Sequence, residues 1–398
     1  MAGRLIIHNA AFVFTDTVVR GGFLICEGGS ISQIGKGLFE PNESDVVLDA
    51  KGCYVSPGFI DMHTHGAGGH DFMDNTVEAY LGAAEMHAVH GTTSLVPTTL
   101  TSTNEELLKT FSVYKTAKKK NTKGAAFLGL HLEGPYFSYN QRGAQDPKYL
   151  RNPMPKEYNK ILEASEGNII RWSMAPELDG ALDLGRLLRL NGILASIGHT
   201  DAIYEDVAKA HEVGFSHITH LYSCMSTITR RNAYRYAGVL EAAYLIDGLT
   251  VEIIADGIHL PKPLLQYVYK FKGADKIALC TDSMRAAGMP DGEYLLGSKE
   301  KGQPVIVEDG VAKLPDYSAF AGSVATADRL VRVMVEVAEV PLVDAVRMIT
   351  QVPAKILGLG RFKGALAVGM DADIVIFDSD ISIQHTIIKG KIIYTRNK

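Results

Sequence analysis

Both ends of the chain consist of short apolar runs separated by glycine and other turn residues. Before residue 50, four such runs lack a helical period and are predicted to be strands, at 5–7, 12–14, 22–26 and 30–34. The C-terminal end has the same pattern, with strands predicted at 372–377, 386–388 and 391–394. Neither end can bury a core alone, so we expect the two ends to combine into one small β-sandwich domain.

The middle of the chain alternates short β-rich runs with helical stretches, which is typical of a parallel sheet built from βα units. Eight strands are predicted, at 58–62, 93–96, 126–132, 169–175, 193–198, 217–219, 250–255 and 276–281. Helices are predicted at 78–90, 105–120, 204–213, 263–271, 325–339 and 341–356, with Asp201 as the N-cap of the third. Since eight strands close a barrel, the predicted fold class is α/β, a (β/α)8 TIM-like barrel between the halves of the β-domain. The predicted boundaries are 57–357 for the barrel and 1–56 with 358–398 for the small domain.

Composition narrows the class of protein. With 398 residues, 46% hydrophobic and 21% charged, the chain has the composition of an ordinary globular protein. A net charge of -5 without a long basic run gives no electrostatic footprint for nucleic acid. The four dispersed cysteines do not describe a disulfide scaffold. Neither a signal peptide nor an apolar run of the ~20 residues that span a bilayer is recognisable, so we expect a cytoplasmic protein without a membrane partner.

Side chains of the types that bind metal ions follow five of the predicted barrel strands. His63 and His65 follow the first strand, and residues two apart on a strand point to the same side, so both imidazoles can reach one point. The other four end the third, fifth, sixth and eighth strands: Glu133, His199, His220 and Asp282. All six would lie at the C-terminal rim, where barrel enzymes have their active sites. One histidine at a strand end is usually a hydrogen-bonded rim residue, but convergence from five strands favours a site for a divalent cation.

A bound cation makes amide hydrolysis accessible at neutral pH, because it polarises the carbonyl and activates water. The amine leaving group must also be protonated, and Asp282 is placed to serve as the general acid–base. A further donor should hold the developing oxyanion. His131 and His217, inside strands, are weaker ligand candidates, and the histidines in helical stretches are expected to be structural or exposed: His87, His90 and His211.

Longer motifs carry a resemblance that covers nearly the whole chain. They are PGFIDMHTHG (57–66), HLEGPYF (131–137), GHT (198–200), THLYSCMS (219–226), ADGIH (255–259), TDSMRAAG (281–288), AGS (321–323) and GALAVGMDADIVIFD (364–378). Together they resemble the N-acetylglucosamine-6-phosphate deacetylases of the amidohydrolase superfamily. The resemblance implies metal-dependent conversion of N-acetylglucosamine 6-phosphate to glucosamine 6-phosphate and acetate, in amino-sugar catabolism.

The resemblance also implies roles for the rim residues. Asp282 would be the catalytic acid–base, and His63 and His65 would form a second metal site with Glu133 bridging. The principal metal ion would be bound by three ligands: Glu133, His199 and His220. One or two divalent ions per subunit are therefore expected, with zinc as the expected metal and iron, manganese or cobalt as alternatives.

The substrate contacts implied by the resemblance are Ala144, Gln145, Ser223, Cys224, Arg231, His259, Phe320, Ala321 and Gly322. Arg231 would hold the phosphate of the substrate in the neighbouring subunit of a homodimer, since an arginine fork suits phosphate oxygens. Arg230 and Arg235 are alternatives for that role. Ser223 stands where the family often has asparagine, so the galactosamine epimer stays an alternative substrate.

Two other functions are alternatives to this one. A cyclic-amide amidohydrolase would bridge two metals with a modified lysine on the fourth strand, but residues 169–175 contain no lysine. A non-catalytic barrel that serves as a scaffold should have lost metal ligands, whereas this chain has all six ligand-type residues.

Overall fold

The computed structural model describes residues 3–397, which contain a barrel of eight parallel strands. In chain order the strands are Phe59–Thr64, Thr92–Thr99, Leu130–Glu133, Ile169–Met174, Leu194–Ile197, Phe215–Ile218, Thr250–Ile253 and Ile277–Leu279. A short segment, Ala126–Phe127, precedes the third strand and also pairs with the second. The last strand meets the first through a parallel bridge between Thr64 and Ser283. The predicted α/β barrel is confirmed.

Helices follow the strands in sequence. Their bounds are Val77–Val89, Asn104–Lys120, Pro155–Ser165, Ala181–Leu190, Tyr204–Val213, Val239–Leu245, Lys262–Lys272, Ala327–Arg332, Leu342–Ile349 and Gln351–Ile356. A π-helical turn at Val333–Val337 and 3-10 turns at Phe72–Asp74, Tyr139–Gln141, Pro147–Tyr149 and Ala274–Lys276 complete the set. Within residues 3–397, no helix combines the length and the apolar character needed to cross a membrane.

The helix predicted at 341–356 is two helices that meet at Thr350. In a continuous helix the ring of Pro353 would clash with the carbonyl of Ile349, four residues earlier. A new helix that begins at Gln351 places the proline in its first turn, where no intrahelical N–H donor is needed.

The Asp201 N-cap predicted for the helix Tyr204–Val213 is wrong. The residue before this helix is Ile203, whose backbone N–H donates to the Asp206 carboxylate at 3.2 Å. The Asp201 carboxylate instead accepts hydrogen bonds from Ser138 and Gln141, both at 2.7 Å. Asp201 therefore fixes the loop that follows the third strand.

Two sheets from both chain ends form the small domain. The first has the strand order Ser30–Gly35, Phe23–Glu27, Leu5–His8, Val46–Asp49. The second has the order Lys391–Thr395, Ile383–Ile388, Ile374–Phe377, Tyr54–Pro57, Ala11–Val13, Val18–Arg20. Their shared core contains Ile7, Phe12, Ile374 and Ile387, all buried. The prediction that the two chain ends combine into one small β-domain is confirmed. The domain boundaries at 56/57 and 357/358 stay a prediction.

An antiparallel sheet that was not predicted follows the last barrel strand, with strands Gly292–Leu296, Gln303–Glu308 and Val311–Lys313. The buried Arg285 donates to the carbonyl of Leu295 at 2.6 Å and to Asp74 at 3.0 Å. Asp71 accepts the N–H of Gly297 at 3.0 Å. These bonds attach the sheet to the segment that follows the first strand. Two short hairpins, Gly66–Ala67 with His70–Asp71 and Thr229–Arg231 with Tyr234–Tyr236, were also not predicted.

Candidate active site

Three side chains from different strands converge at the C-terminal mouth of the barrel. The Oε1 atom of Glu133 lies 3.2 Å from Nε2 of His199 and 3.1 Å from Nε2 of His220. The two Nε2 atoms are 3.1 Å apart. Two imidazole nitrogens and a carboxylate oxygen directed at one point are a donor set that suits a divalent cation.

A second group of side chains shares Glu133. Its carboxylate oxygens lie 3.4 Å from Nε2 of His63 and 3.3 Å from Nε2 of His65. Oδ1 of Asp282 is 3.3 and 3.2 Å from the same two nitrogens. Among residues 3–397, Nε2 of His63 and Oδ1 of Asp282 have no hydrogen-bond partner although both are buried. Since buried polar atoms are normally paired, these residues fit a cation as well.

Backbone strain is concentrated at these positions. His199, His220 and Asp282 have φ angles of 50°, 27° and 46°, in the left-handed region that residues with a Cβ seldom adopt. Each costs ~1–3 kcal/mol and persists only where the surroundings impose it. All three lie two or three residues beyond the end of a barrel strand, so the turn that leaves the strand aims the side chain across the barrel mouth.

Hydrogen bonds fix the ligand rings from outside. Nδ1 of His199 lies 2.9 Å from the carbonyl oxygen of Gln141, in the loop that Asp201 holds. The Gln145 amide donates to Oε2 of Glu133 at 2.8 Å. Position 143 between them requires glycine, because φ is +56° and a Cβ would lie 2.6 Å from Sγ of Cys224.

Sequence reasoning missed two charged residues beneath the mouth, Arg171 on the fourth strand and Glu252 on the seventh. Burial disfavours the charged form of Glu252, but Arg171, 2.6 Å away, holds the pKa of this carboxyl well below its usual value. Burial lowers the pKa of His217 to about 4 and that of His131 well below its usual value, so both are neutral. The sequence signal that could have identified Arg171 and Glu252 is a charged residue inside an otherwise apolar strand, in IIRWSMA and TVEII.

A cavity of about 300 Å³ opens above the ligands. Seven of the nine residues expected to contact substrate line it: Ala144, Gln145, Ser223, Cys224, His259, Phe320 and Gly322. Ala321 is fully buried beside this lining. Arg231 is exposed on the hairpin Thr229–Arg231 with Tyr234–Tyr236 and does not line the cavity of its own subunit. Additional lining residues, which sequence reasoning did not identify, are Leu100, Tyr222, Ile254, Leu296 and Ala319.

His259 is oriented by a carboxylate that sequence reasoning also missed. Its Nδ1 lies 2.8 Å from Oδ2 of Asp256, and its ring packs against Phe320 with centroids 4.7 Å apart. Asp256 is buried and also accepts the backbone N–H of His259 at 2.8 Å. The imidazole therefore has a fixed orientation in the cavity wall.

Removal of one convergent ligand should release metal. We expect His199→Ala to weaken binding of a divalent ion by more than the ~10–100-fold that loss of an outer hydrogen-bond partner causes. Elemental analysis after dialysis measures the metal content. His211→Ala is the matched control, because His211 lies on an outer helix and contacts the carbonyl of Phe215 at 3.0 Å. An unchanged metal content in His199→Ala would exclude His199 as a ligand.

Comparison with known proteins agrees with this geometry. The profile of the Amidohydrolase family matches residues 54–393. An N-acetylglucosamine-6-phosphate deacetylase from Bacillus subtilis (strain 168) is 35% identical over 99% of this chain and 98% of the relative. An N-acetylgalactosamine-6-phosphate deacetylase from Escherichia coli O157:H7 is 31% identical, over 85% of this chain and 87% of the relative.

Solved structures give the same result. An alanine variant of the N-acetyl-D-glucosamine-6-phosphate deacetylase from Mycobacterium smegmatis, in complex with N-acetyl-D-glucosamine-6-phosphate, superimposes with a TM-score of 0.89. It is 32% identical, and the match covers 99% of this chain and 100% of that one. The N-acetylglucosamine-6-phosphate deacetylase from Pasteurella multocida has a TM-score of 0.91 at 28% identity, with the same coverage of both chains. The chain belongs to the amidohydrolase family and groups with its amino-sugar-phosphate deacetylases.

Proposed function

We propose that this protein hydrolyses the N-acetyl group of N-acetylglucosamine 6-phosphate and releases acetate and glucosamine 6-phosphate. The observation that carries the proposal is the convergence of Glu133, His199 and His220 on one point, with Asp282 beside them at the floor of a cavity. The relatives from Bacillus subtilis and Mycobacterium smegmatis are deacetylases of this substrate class. The cytoplasmic location expected from the sequence stays a prediction.

We propose Glu133, His199 and His220 as the ligands of the principal divalent ion, and His63 and His65, with Glu133 shared, as those of a second. Zinc is the expected metal, since histidine nitrogens and carboxylate oxygens are its usual ligands with cysteine. A bound divalent ion would polarise the amide carbonyl and lower the pKa of a water molecule to about 7.

Asp282 is the proposed carrier of the proton. Its carboxylate takes the proton of the attacking water as the oxygen–carbon bond forms. It then gives this proton to the amide nitrogen as the carbon–nitrogen bond breaks, so that a neutral amine and acetic acid leave, and the acid forms acetate when it releases the second proton of the water to solvent. Burial raises the pKa of this carboxyl, but the neighbouring His63 and His65, where they carry a second proton, bring it below its usual value.

The sugar and its phosphate would contact the cavity wall and a second subunit. Nδ1 of His259 is bonded to Asp256, which leaves Nε2 to accept a hydrogen bond from a sugar hydroxyl. Arg231 is exposed on its hairpin, and we propose that a homodimer brings it to the phosphate in the neighbouring cavity. Arg230 and Arg235 pair across the same hairpin and could share this role.

The galactosamine epimer is a second candidate substrate. Ser223, which stands where the family often has asparagine, lines the cavity, and its hydroxyl can contact a sugar hydroxyl. The relative from Escherichia coli O157:H7 is an N-acetylgalactosamine-6-phosphate deacetylase. The two epimers differ only in the orientation of one hydroxyl, so the residues of the cavity wall would determine which epimer is preferred.

Initial rates of acetate release from the two N-acetylhexosamine 6-phosphates test the proposed activity. We expect a kcat/KM about 10–100-fold higher for the glucosamine compound, since one mismatched hydroxyl leaves a buried polar group unpaired at a cost of ~1–3 kcal/mol. The same assay after chelation of metal is the control and should show no turnover. A preference for the galactosamine compound would select the second candidate, and no acetate from either would reject deacetylation.

Asp282→Asn should retain metal but lose turnover. The amide cannot accept the proton of water, so we expect kcat to fall ~10²–10⁴-fold, the usual contribution of general acid–base catalysis. Metal content and kcat are measured on the same sample. Asp16→Asn, an exposed carboxylate of the small domain, is the control. Turnover of Asp282→Asn at the wild-type rate would exclude the carboxylate as proton carrier.

Arg231→Ala should raise KM for the phosphorylated substrate ~10–100-fold, because a hydrogen bond to a charged group contributes ~1.5–3 kcal/mol. KM for unphosphorylated N-acetylglucosamine should hardly change. Arg230→Ala and Arg235→Ala identify the residue that carries the role, and Arg186→Ala, on an exposed helical surface, is the control. Equal effects on both substrates would reject a phosphate contact.

A further inference from the structure

A buried ion pair lies directly beneath the candidate ligands. The guanidinium of Arg171 donates to both carboxylate oxygens of Glu252, at 2.6 and 2.7 Å. Its remaining donors bind the carbonyl of Met62 at 3.1 Å, the hydroxyl of Ser196 at 3.1 Å and the hydroxyl of Thr219 at 3.0 Å. Both charged side chains are fully buried. The pair therefore connects the first, fourth, fifth and seventh barrel strands and the residue that follows the sixth.

Glu252 reaches from this pair to two candidate ligands. Its Oε1 atom lies 2.7 Å from Nδ1 of His63, and it accepts the backbone N–H of His220 at 3.2 Å. Oε1 of Glu252 also accepts from Arg171, so it serves as an acceptor, and when His63 carries a single proton, as a metal ligand must, that proton is on Nδ1. Nε2 then presents its lone pair toward Glu133 and Asp282, at 3.4 and 3.3 Å.

In the described part of the chain, the other ligand histidines have no such carboxylate on the far side of the ring. Nδ1 of His199 contacts the backbone carbonyl of Gln141 at 2.9 Å. Nδ1 of His65 and of His220 have no hydrogen-bond partner among residues 3–397. A carboxylate behind a ligand imidazole fixes its tautomer and ring orientation and raises its basicity. His63 is thus the ring whose orientation depends most directly on one ionised side chain.

Stability alone does not account for this ion pair. Taking two charges out of water costs several kcal/mol per ion, and apolar residues of similar volume often serve equally well or better. Here the carboxylate has a further task that an apolar residue cannot perform, because it must accept the Nδ1 proton of His63. Arg171 holds Glu252 in place for that task through hydrogen bonds to both of its carboxylate oxygens.

We propose that Glu252, held by Arg171, is the positioning residue that fixes the Nδ1–H form of His63 and thereby builds the second cation site. The inference rests on the proposed metal centre and adds the requirement for its second ion. The principal site, formed by Glu133, His199 and His220, does not need this hydrogen bond to His63.

Two matched double variants test the requirement for an acceptor behind His63. Arg171→Met with Glu252→Gln removes both charges but keeps a carbonyl oxygen for the Nδ1 proton. Arg171→Met with Glu252→Leu removes both charges and the acceptor, so neither variant buries an unpaired charge. Glu252→Asp, which keeps the ion pair but shortens the reach to His63, is a third variant that should fold even if the others do not.

Titration of the chelator-treated proteins with Co²⁺, followed by calorimetry and visible absorption, gives the number and affinity of bound ions. We expect two ions in the wild type and in the Gln variant, and a second ion bound ~10–100-fold more weakly in the Leu and Asp variants. His217→Gln is the control, because His217 contacts the other oxygen of Glu252 at 3.5 Å and should leave both ions bound.

Three outcomes would overturn the proposal: a wild type that takes one ion, equal second-ion affinity in the Gln and Leu variants, or loss of the principal ion alone. Acetate release by the same samples separates the two claims. A protein that binds two ions in the expected pattern but releases no acetate would reject the deacetylase activity and leave the role of Glu252 standing.

Discussion

Closure of the barrel between its last and first strands is the constraint on which the site depends. The N–H of Asp282 donates to the carbonyl of His63 at 2.9 Å, and the hydroxyl of Thr281 donates to Asp61 at 2.6 Å. These bonds join segments more than 200 residues apart and bring the Asp282 carboxylate against both histidines of the first strand. Without closure, Asp282 and the histidine pair would lie at opposite edges of an open sheet. Glu133 would then lack the cluster of His63, His65 and Asp282 beside its carboxylate.

Sequence reasoning predicted the barrel strands and the polar side chains at their C-terminal ends. A strand that ends at the barrel mouth places the residues after it at the mouth whatever the helices do. Ligand types after the strands were therefore sufficient to predict that six side chains converge there: His63, His65, Glu133, His199, His220 and Asp282. The eight strand positions were right within a few residues for the same reason, because each is a short apolar run between polar segments. The convergence follows from topology and needs no knowledge of individual contacts.

The features that were missed depend on contacts between distant parts of the chain. Asp201 has the residue type and position of an N-cap, but three side chains of a remote loop use its carboxylate instead. The sheet at 292–313 is attached to the barrel by Arg285, a tertiary contact that has no local period. Arg171 and Glu252 each look like an anomaly in an apolar strand, and only their pairing across the barrel explains both.

Bond cleavage and sugar recognition are assigned to different parts of the fold. The atoms that would break the amide bond come from strand ends, whose geometry the barrel fixes, so the reaction class follows from the fold and the ligand set. The atoms that would recognise the sugar come from loops and from an exposed hairpin: Ser223, His259, Phe320 and Arg231. Loops tolerate substitution because they contribute little to the core. A change of epimer preference is therefore expected to require changes in the loops only.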